Sequence, residues 1–344
     1  MDTRRKTSHK KGFVLDMHVH VAGIGVGSEC SISRSLLGNW RYNLYLKAFN
    51  TSKQEIEVLG DAIVIERIAE SLAQSTHVDG ALLLALDRVY DPVSGQPNEA
   101  LTEVYIPNNF VRVGCARHPS LFYGASVNPY RPDWQEELRQ AAANKALLVK
   151  WLPAIQHINP ADSAIIPFYR MLKELDLPLL VHTGAERSFS SYNDVLGDPC
   201  LLRLALEEGV TVIAAHLATT GKKDGEEYID RLLPMLTKYD NLYTDISSLT
   251  QLNKVHYLSK VLSRPDLFKK FLFGSDFPLT NSRFGPFMLV SPWYFVPRLS
   301  VKKAYTLSRV ANVWDRDLLL KEALGFPTDS FIRSAELLLD KAGR

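Results

Sequence analysis

The sequence is poor in cysteine, balanced in charge and without a long apolar run, and each shortage removes a class of protein. Its three cysteines, Cys30, Cys115 and Cys200, are odd in number and widely spaced, with no Cys-x-x-Cys pair. A disulfide framework is therefore not expected, nor is a cysteine-based zinc site. All three read as small buried hydrophobes in a reduced, cytoplasmic setting. Forty basic residues against 38 acidic ones leave a formal charge of +2. That balance offers no support for nucleic-acid binding, which needs a basic stripe. No stretch approaches the ~20 apolar residues of a membrane span. The start is basic, with Arg4, Arg5, Lys6, Lys10 and Lys11, but the apolar run from Phe13 to Leu15 meets Asp16 at once. A secretory signal is not expected there. Residues 1–11 read as a flexible basic tail and residues 12–344 as a single domain.

What the chain does have is a series of short apolar runs bounded by turn residues. They are Phe13 to Val19, Gly80 to Leu86, Phe122 to Val127, Ala146 to Trp151, Pro178 to His182, Val210 to Ala215, Leu242 to Ile246 and Lys270 to Gly274. None alternates cleanly between apolar and polar, which fits parallel strands covered on both faces. Helical patterns lie between them: Asp61 to Gln74, Asp133 to Asn144 with an Asp cap, Asp162 to Leu175, Asp198 to Glu208, Gly225 to Lys238, Gln251 to Lys269 and Lys302 to Ala323. Pro234 and Pro265 interrupt two of these, and Gly325 and Pro327 stop the last. From the fourth run onward the strands recur every roughly 30 residues, the size of one βα unit. The expectation is an α/β fold, a (β/α)₈ TIM barrel, with a doubly wound open sheet as the alternative. Two stretches break the rhythm, Val21 to Gly60 after the first strand and Phe277 to Leu299 after the last. Both leave the C-terminal end of a strand, so both are expected over the barrel mouth as insertions that shape a pocket.

The chemistry sits at the ends of these strands. His18 and His20 are two apart on the first strand and so share a face. Two imidazoles on one face make a half-site for zinc, iron or manganese. His182 ends the fifth strand, His216 the sixth and Asp276 follows the eighth. Polar groups that close apolar strands are costly to bury unpaired, and five of them on one rim read as a site. Lys150 ends the fourth strand. It reads either as a partner of a rim carboxylate, as a cation for an acidic substrate, or, once carboxylated by CO₂, as a bridge between metals. Asp245 ends the seventh strand and reads as a carboxylate that orients a histidine or caps the Ser247-Ser248 turn. Asp16 reads as an inward residue one layer below the metal. Arg187 reads as a grip for a substrate carboxylate or as a surface ion pair. Arg34, Trp40 and Tyr45, in the first insertion, read as a lid or as packing. His77, His118, His157 and His256 read as structural.

The order of these residues resembles the amidohydrolase superfamily, and within it the amidohydrolase-2 branch. The similarity rests on His18-x-His20, Lys150, His182, His216 and Gly274-Ser275-Asp276-Phe277-Pro278. It extends to Phe122 to Pro129, Val149 to Pro153 and Asn241 to Ser247, and spans roughly residues 13–325. The stretch Val310 to Asp317 departs from the family's Gly-Asn-Ala-type turn. The resemblance implies that His18, His20 and His182 are metal ligands and that Asp276 is both ligand and general base. It implies for His216 a second metal or a role as acid or base toward substrate, and for Lys150 a bridge only if carboxylated. One metal, two, or in a few members none, are all found in the family. The implied cofactor is a divalent metal, zinc first, with manganese or iron as alternatives.

A bound divalent metal brings the pKa of water from about 15.7 to near 7. The expected function is thus hydrolysis of an amide, lactone or ester of a small molecule by a metal-activated water, with Asp276 as general base. The resemblance also implies an alternative, because the same branch includes decarboxylases that use the same ligands: non-oxidative decarboxylation of a small aromatic or unsaturated acid, a carbon–carbon lyase, which CO₂ release distinguishes. A non-catalytic barrel would lack ligands, and none is missing here. The expected partner is a small molecule, without nucleic acid or membrane; a homo-oligomer is compatible with the sequence but not indicated by it.

Overall fold

The computed structural model describes residues 12–186, 192–281 and 291–339. Each of the eight apolar runs carries a strand: β1 Leu15–His20, β2 Gly80–Leu84, β3 Leu121–Gly124, β4 Val149–Trp151, β5 Leu179–Val181, β6 Val212–Ala214, β7 Leu242–Asp245 and β8 Phe271–Leu272. All neighbouring pairs are parallel, in one run β1-β2-β3 and another β4-β5-β6-β7-β8. Two bridges join the runs. Ala125 pairs with Val149, and Lys150 N–H donates to Ala125 O at 2.7 Å. Val19 pairs with Phe277, and His20 N–H donates to Phe277 O at 2.8 Å. The strands therefore close in sequence order as a barrel, and the open-sheet alternative, which needs a reversal of strand order, does not apply.

The continuous apolar character of the strands follows from this closure. Leu82, Leu84, Leu148, Leu180, Ile213 and Leu272 face the barrel interior. Their neighbours Ala81, Leu83, Val149, Val181, Val212 and Ala214 face the surrounding helices. On β1 the alternation slips, because the register with β2 shifts between Asp16 and Val19. Leu15 and Met17 belong to the interior cluster, and Asp16 does not point inward as its spacing from His18 suggests. Its carboxylate instead accepts the amides of His18 and Ser275, on the side of the buried Lys321 of an outer helix.

The barrel helices are α1 Ala62–Ala73, α2 Asn108–Cys115, α3 Trp134–Ala143, α4 Ile166–Glu174, α5 Arg203–Glu207, α6 Tyr228–Lys238, α7 Leu258–Leu262 and α8 Val313–Leu324. Asp133 precedes α3 without capping it, since its carboxylate is drawn onto Arg131 at 2.7 Å. Pro234 is accommodated inside α6. The pattern from Lys302 to Ala323 is two helices, Val301–Ser308 and α8, divided where Asn312 caps the second. A further helix, α9 Asp329–Leu338, escaped the sequence reading. Its Ala335 and Leu338 close the floor of the barrel against Leu15, Met17 and Leu272. Ser334 ties it to β8 by bonds to the Phe273 amide and carbonyl.

The first insertion is folded rather than loose. Its strand Ser31–Ile32 pairs with Val104–Tyr105 from the β2–α2 connection, a long segment that the rhythm of the sequence did not single out. Asp61 anchors it: the carboxylate accepts the amides of Ile24 and Gly25 at 2.8 and 2.9 Å and the hydroxyl of Ser28. Cys30 and Cys115 lie in the core as expected, whereas Cys200 is half-buried beside Arg231. Among the described residues no helix is long and apolar enough to cross a membrane.

Candidate metal centre at the strand ends

The rim of the barrel brings together the polar ends of β1, β4, β5, β6, β7 and β8. His18 and His20 lie with ring centroids 5.1 Å apart. Both present Nε2 to one oxygen of Asp276: Oδ1 lies 3.0 Å from His20 Nε2 and 3.7 Å from His18 Nε2. The other oxygen of Asp276 accepts the Ser248 hydroxyl, which Gln251 Nε2 in turn approaches at 3.1 Å. Asp276 reaches this position with φ at 69°, in the left-handed region that Asp tolerates better than most residues. The glycine before Ser275 has its own reason. A Cβ on Gly274 would lie 2.8 Å from His18 Cβ, so only glycine lets β8 approach β1 at the level of the histidine.

Asp245 organises the opposite side. Its Oδ2 faces His18 Nδ1 at 2.8 Å, and its Oδ1 accepts the His216 amide at 2.9 Å and the Ser247 amide and hydroxyl. It both orients a histidine and caps the turn, so the two readings of this residue describe two sets of its contacts. The carboxylate stays ionised, well below its usual range: burial alone raises it, but His18 and the other donors outweigh that. His18, fully buried and beside Lys150, is pushed down to about 4 and is neutral. It therefore donates Nδ1–H to Asp245 and keeps a lone pair on Nε2.

The same logic fixes His216. Ser247 gives its single hydroxyl hydrogen to Asp245, so Ser247 Oγ accepts from His216 Nδ1 at 2.7 Å. His216 Nε2 then carries a lone pair as well. β6 ends at Ala214, and His216 turns into the site through φ of 59°, followed by Leu217 and Ala218 at 52° and 48°. Such residues cost on the order of 1–3 kcal/mol each outside glycine and persist where the surroundings impose them. The His216 ring stacks on His18 at 4.9 Å and meets His182 edge-on at 5.0 Å. Burial drives both His182 and His216 well below the usual histidine range.

Lys150 is fully buried, with Nζ 3.1 Å from His18 Nε2. Among the described residues, none of its contacts is a salt bridge with a rim carboxylate. Burial pushes its ammonium down to about 8, against the pull of Asp245, Asp276 and Glu186.

Two groups of three have ligand atoms within 4.8 Å of one another among the described residues: His18, His20 and Asp276; and His18, His216 and Asp245. The first fits a divalent ion. It offers two imidazole lone pairs and a carboxylate oxygen, and the buried His182 Nε2, which has no hydrogen-bond partner, lies on the same rim. In the second group Asp245 is already committed to its donors, so that group positions the first. His182 belongs to neither trio, but it feels the charges of Lys150 and Asp276.

Arg34 opens the short helix Arg34–Leu37 of the insertion and is exposed, with no bond to the rim groups. Arg187 lies outside the described residues. Trp40 is exposed, whereas Tyr45 turns toward the mouth, where its phenol senses Asp276 and Glu186. Of the histidines read as structural, His118 pairs with Glu66 at 3.0 Å and His256 packs on Tyr257. The sequence reading missed Lys254, a buried lysine whose charge acts on His182 and His216, and Ser248, the hydroxyl that holds Asp276.

The family model described as amidohydrolase matches residues 16–297. A comparison with curated proteins finds no match. Among solved structures, the chain is similar to an uncharacterized TIM-barrel protein, Bb4693, from Bordetella bronchiseptica, with a TM-score of 0.61 and 13% identity over 96% of this chain and 99% of that one. It is also similar to a putative 2-pyrone-4,6-dicarboxylic acid hydrolase from Pseudomonas putida, at 0.53 and 15% over 95% and 97%. IDCase of Metarhizium anisopliae follows at 0.52 and 14% over 96% and 98%. At these identities the likeness speaks for the TIM-barrel fold.

Proposed function

Since the chain belongs to the amidohydrolase family, whose model covers residues 16–297, we propose that it is a metal-dependent hydrolase of an amide, lactone or ester in a small molecule. The observation that carries this reading is the convergence of His18 Nε2 and His20 Nε2 on Asp276 Oδ1. In this reading His18, His20, His182 and Asp276 hold the ion, with zinc as the ion and manganese or iron as alternatives. His216 completes a second position or faces the substrate, and Lys150 joins as a bridge when it is carboxylated. When bound, the ion acidifies water and polarises a carbonyl.

The residues of the chain do the rest. Asp276 accepts the proton of the attacking water on Oδ1 and passes it to the leaving group, while Ser248 holds its other oxygen still. Asp245 keeps His18 in the tautomer that leaves Nε2 bare. The amine of Lys150, pushed down to about 8, is neutral often enough near neutral pH to take up CO₂. Arg34 and Arg187 are proposed to contact the substrate. Residues 12–344 act as one barrel domain in a cytoplasmic setting, consistent with three unpaired cysteines.

Elemental analysis of the purified protein tests the reading. One or two divalent ions per chain and loss of lactone or amide hydrolysis on chelation are expected. Full activity in metal-free protein would falsify it. A mass gain of one CO₂ that disappears in Lys150→Met reports the bridge. The same residues also support decarboxylation of a small acid, the alternative to hydrolysis. CO₂ release from aromatic or unsaturated acids, without hydrolysis of lactones or amides, would favour that alternative.

A further inference from the structure

Among the described residues four lysines are nine-tenths buried, and three have an obvious use. Lys270 Nζ donates to the carbonyls of Tyr239 and Asp240 at 3.2 and 2.7 Å. Lys321 Nζ donates to Gly274 O at 2.8 Å and to Asp317 at 2.6 Å. Lys150 Nζ meets His18. The fourth, Lys254, is 7% exposed, and among the described residues its ammonium has no hydrogen bond and no salt bridge, so that its tip is left to solvent. A lysine sunk among its neighbours with only water at its tip gives up much of its hydration without a protein partner in return, and an incoming anion can supply one.

Its position says where that partner comes. Lys254 lies on the turn Leu252–Tyr257, which follows β7 at the mouth of the barrel. The turn is fixed to the site: Lys254 N–H donates to Gln251 O, and the Gln251 side chain donates to Ser248, which holds Asp276. From there the ammonium acts on His182, His216, Asp245, Asp276 and Glu186, groups from four different strand ends. It is thus close enough to the candidate ligands to act on them by charge, but bonds to none of them.

Charge balance gives the sign of the missing partner. Among the described residues, the mouth holds the carboxylates of Asp245, Asp276 and Glu186 and the amines of Lys150 and Lys254. A divalent ion on His18, His20 and Asp276 would draw on the charge of Asp276 and leave the Lys254 ammonium to an anion brought from outside. We propose that Lys254 binds a carboxylate of the substrate, so that the enzyme acts on an anionic small molecule carrying that group apart from the bond it cleaves. This rests on the hydrolase reading for the site, but not on the reaction type. Lys254 is a specificity-determining residue in this account: it sets which molecules enter, and leaves proton transfer to Asp276.

The test is binding rather than turnover. Succinate, glutarate and benzene-1,3-dicarboxylate are titrated calorimetrically into wild-type protein, Lys254→Met and Lys254→Arg, each with and without added zinc. The dimethyl ester of the aromatic diacid serves as the neutral control. At least one diacid is expected to bind the wild type, with affinity down ~10-fold or more in Lys254→Met, as for a lost charge-assisted bond. Lys254→Arg should stay within a few-fold of wild type, and the ester should not distinguish the variants. Lys254→Met should also melt no lower than wild type, because among the described residues the ammonium makes no bond for the change to break. A lower melting temperature would instead mark Lys254 as a structural counter-charge and overturn the proposal. So would equal diacid binding by wild type and Lys254→Met, or no diacid binding by the wild type. Lys254-dependent binding in a protein that needs no metal would leave this proposal standing and remove the hydrolase reading. Metal-dependent hydrolysis with Lys254-independent binding would do the reverse.

Discussion

The floor and the rim of the barrel are built from the same eight strands to opposite ends. At the floor, Leu15, Met17, Leu180 and Leu272 pack against Ala335 and Leu338 of α9. At the rim, one to four residues further along the chain, the interior becomes His18, His20, Lys150, His182 and Asp276. Left-handed residues occur at both ends but do different things. Lys145 and Asp176 end barrel helices and turn the chain into β4 and β5. His216, Ser248 and Asp276 sit within the site and aim its side chains. The floor spends hydrocarbon on stability, whereas the rim holds strain and unpartnered lone pairs for chemistry.

Substitutions on either side can break this division. The largest effect is expected from Asp276→Asn, which should lower hydrolysis about 10²–10⁴-fold with little change in melting temperature. Activity near wild type would place the general base elsewhere. Leu338→Ala at the floor should remove about 2–5 kcal/mol of stability in a denaturant titration. Its folded fraction should keep the wild-type metal content and KM, and a change in either would mean that floor and rim are coupled. Asp245→Asn lies behind the ligands and should weaken metal binding about 10–100-fold by competition with a chelator. Unchanged affinity would reduce Asp245 to a turn cap.

Much of this division is legible in the sequence, because it follows strand periodicity. His18, His20, His182 and Asp276 stand out as polar ends of apolar runs, and Gly274 stands beside one of them. What local pattern does not carry is tertiary placement. Lys254 lies near the start of the stretch from Gln251 to Lys269, which reads as a helix, and its burial arises only when its first residues fold as the turn Leu252–Tyr257 beside the mouth. His216 is visible as a residue, but the left-handed backbone that turns its ring inward is not. The slip between Asp16 and Val19 leaves no trace in the apolar pattern, so parity placed Asp16 on the wrong face. The α9 helix did have a signal, with Phe331, Ala335 and Leu338 at helical spacing beyond the stop at Gly325 and Pro327.

The seam between β1 and β8 has a consequence for the motion of the whole barrel. Val19 pairs with Phe277 there, and the contact between His20 and Asp276 spans 256 residues of chain. Anything that holds both side chains is therefore a clasp across the place where a closed sheet of consecutive strands can come apart. Opening at the seam would release it, so binding there slows opening in proportion to affinity. The amides of Met17, His20 and Asp276, which bond across this seam, should then exchange with solvent deuterium more slowly when the clasp is shut. Those at the β3–β4 joint should keep their rates.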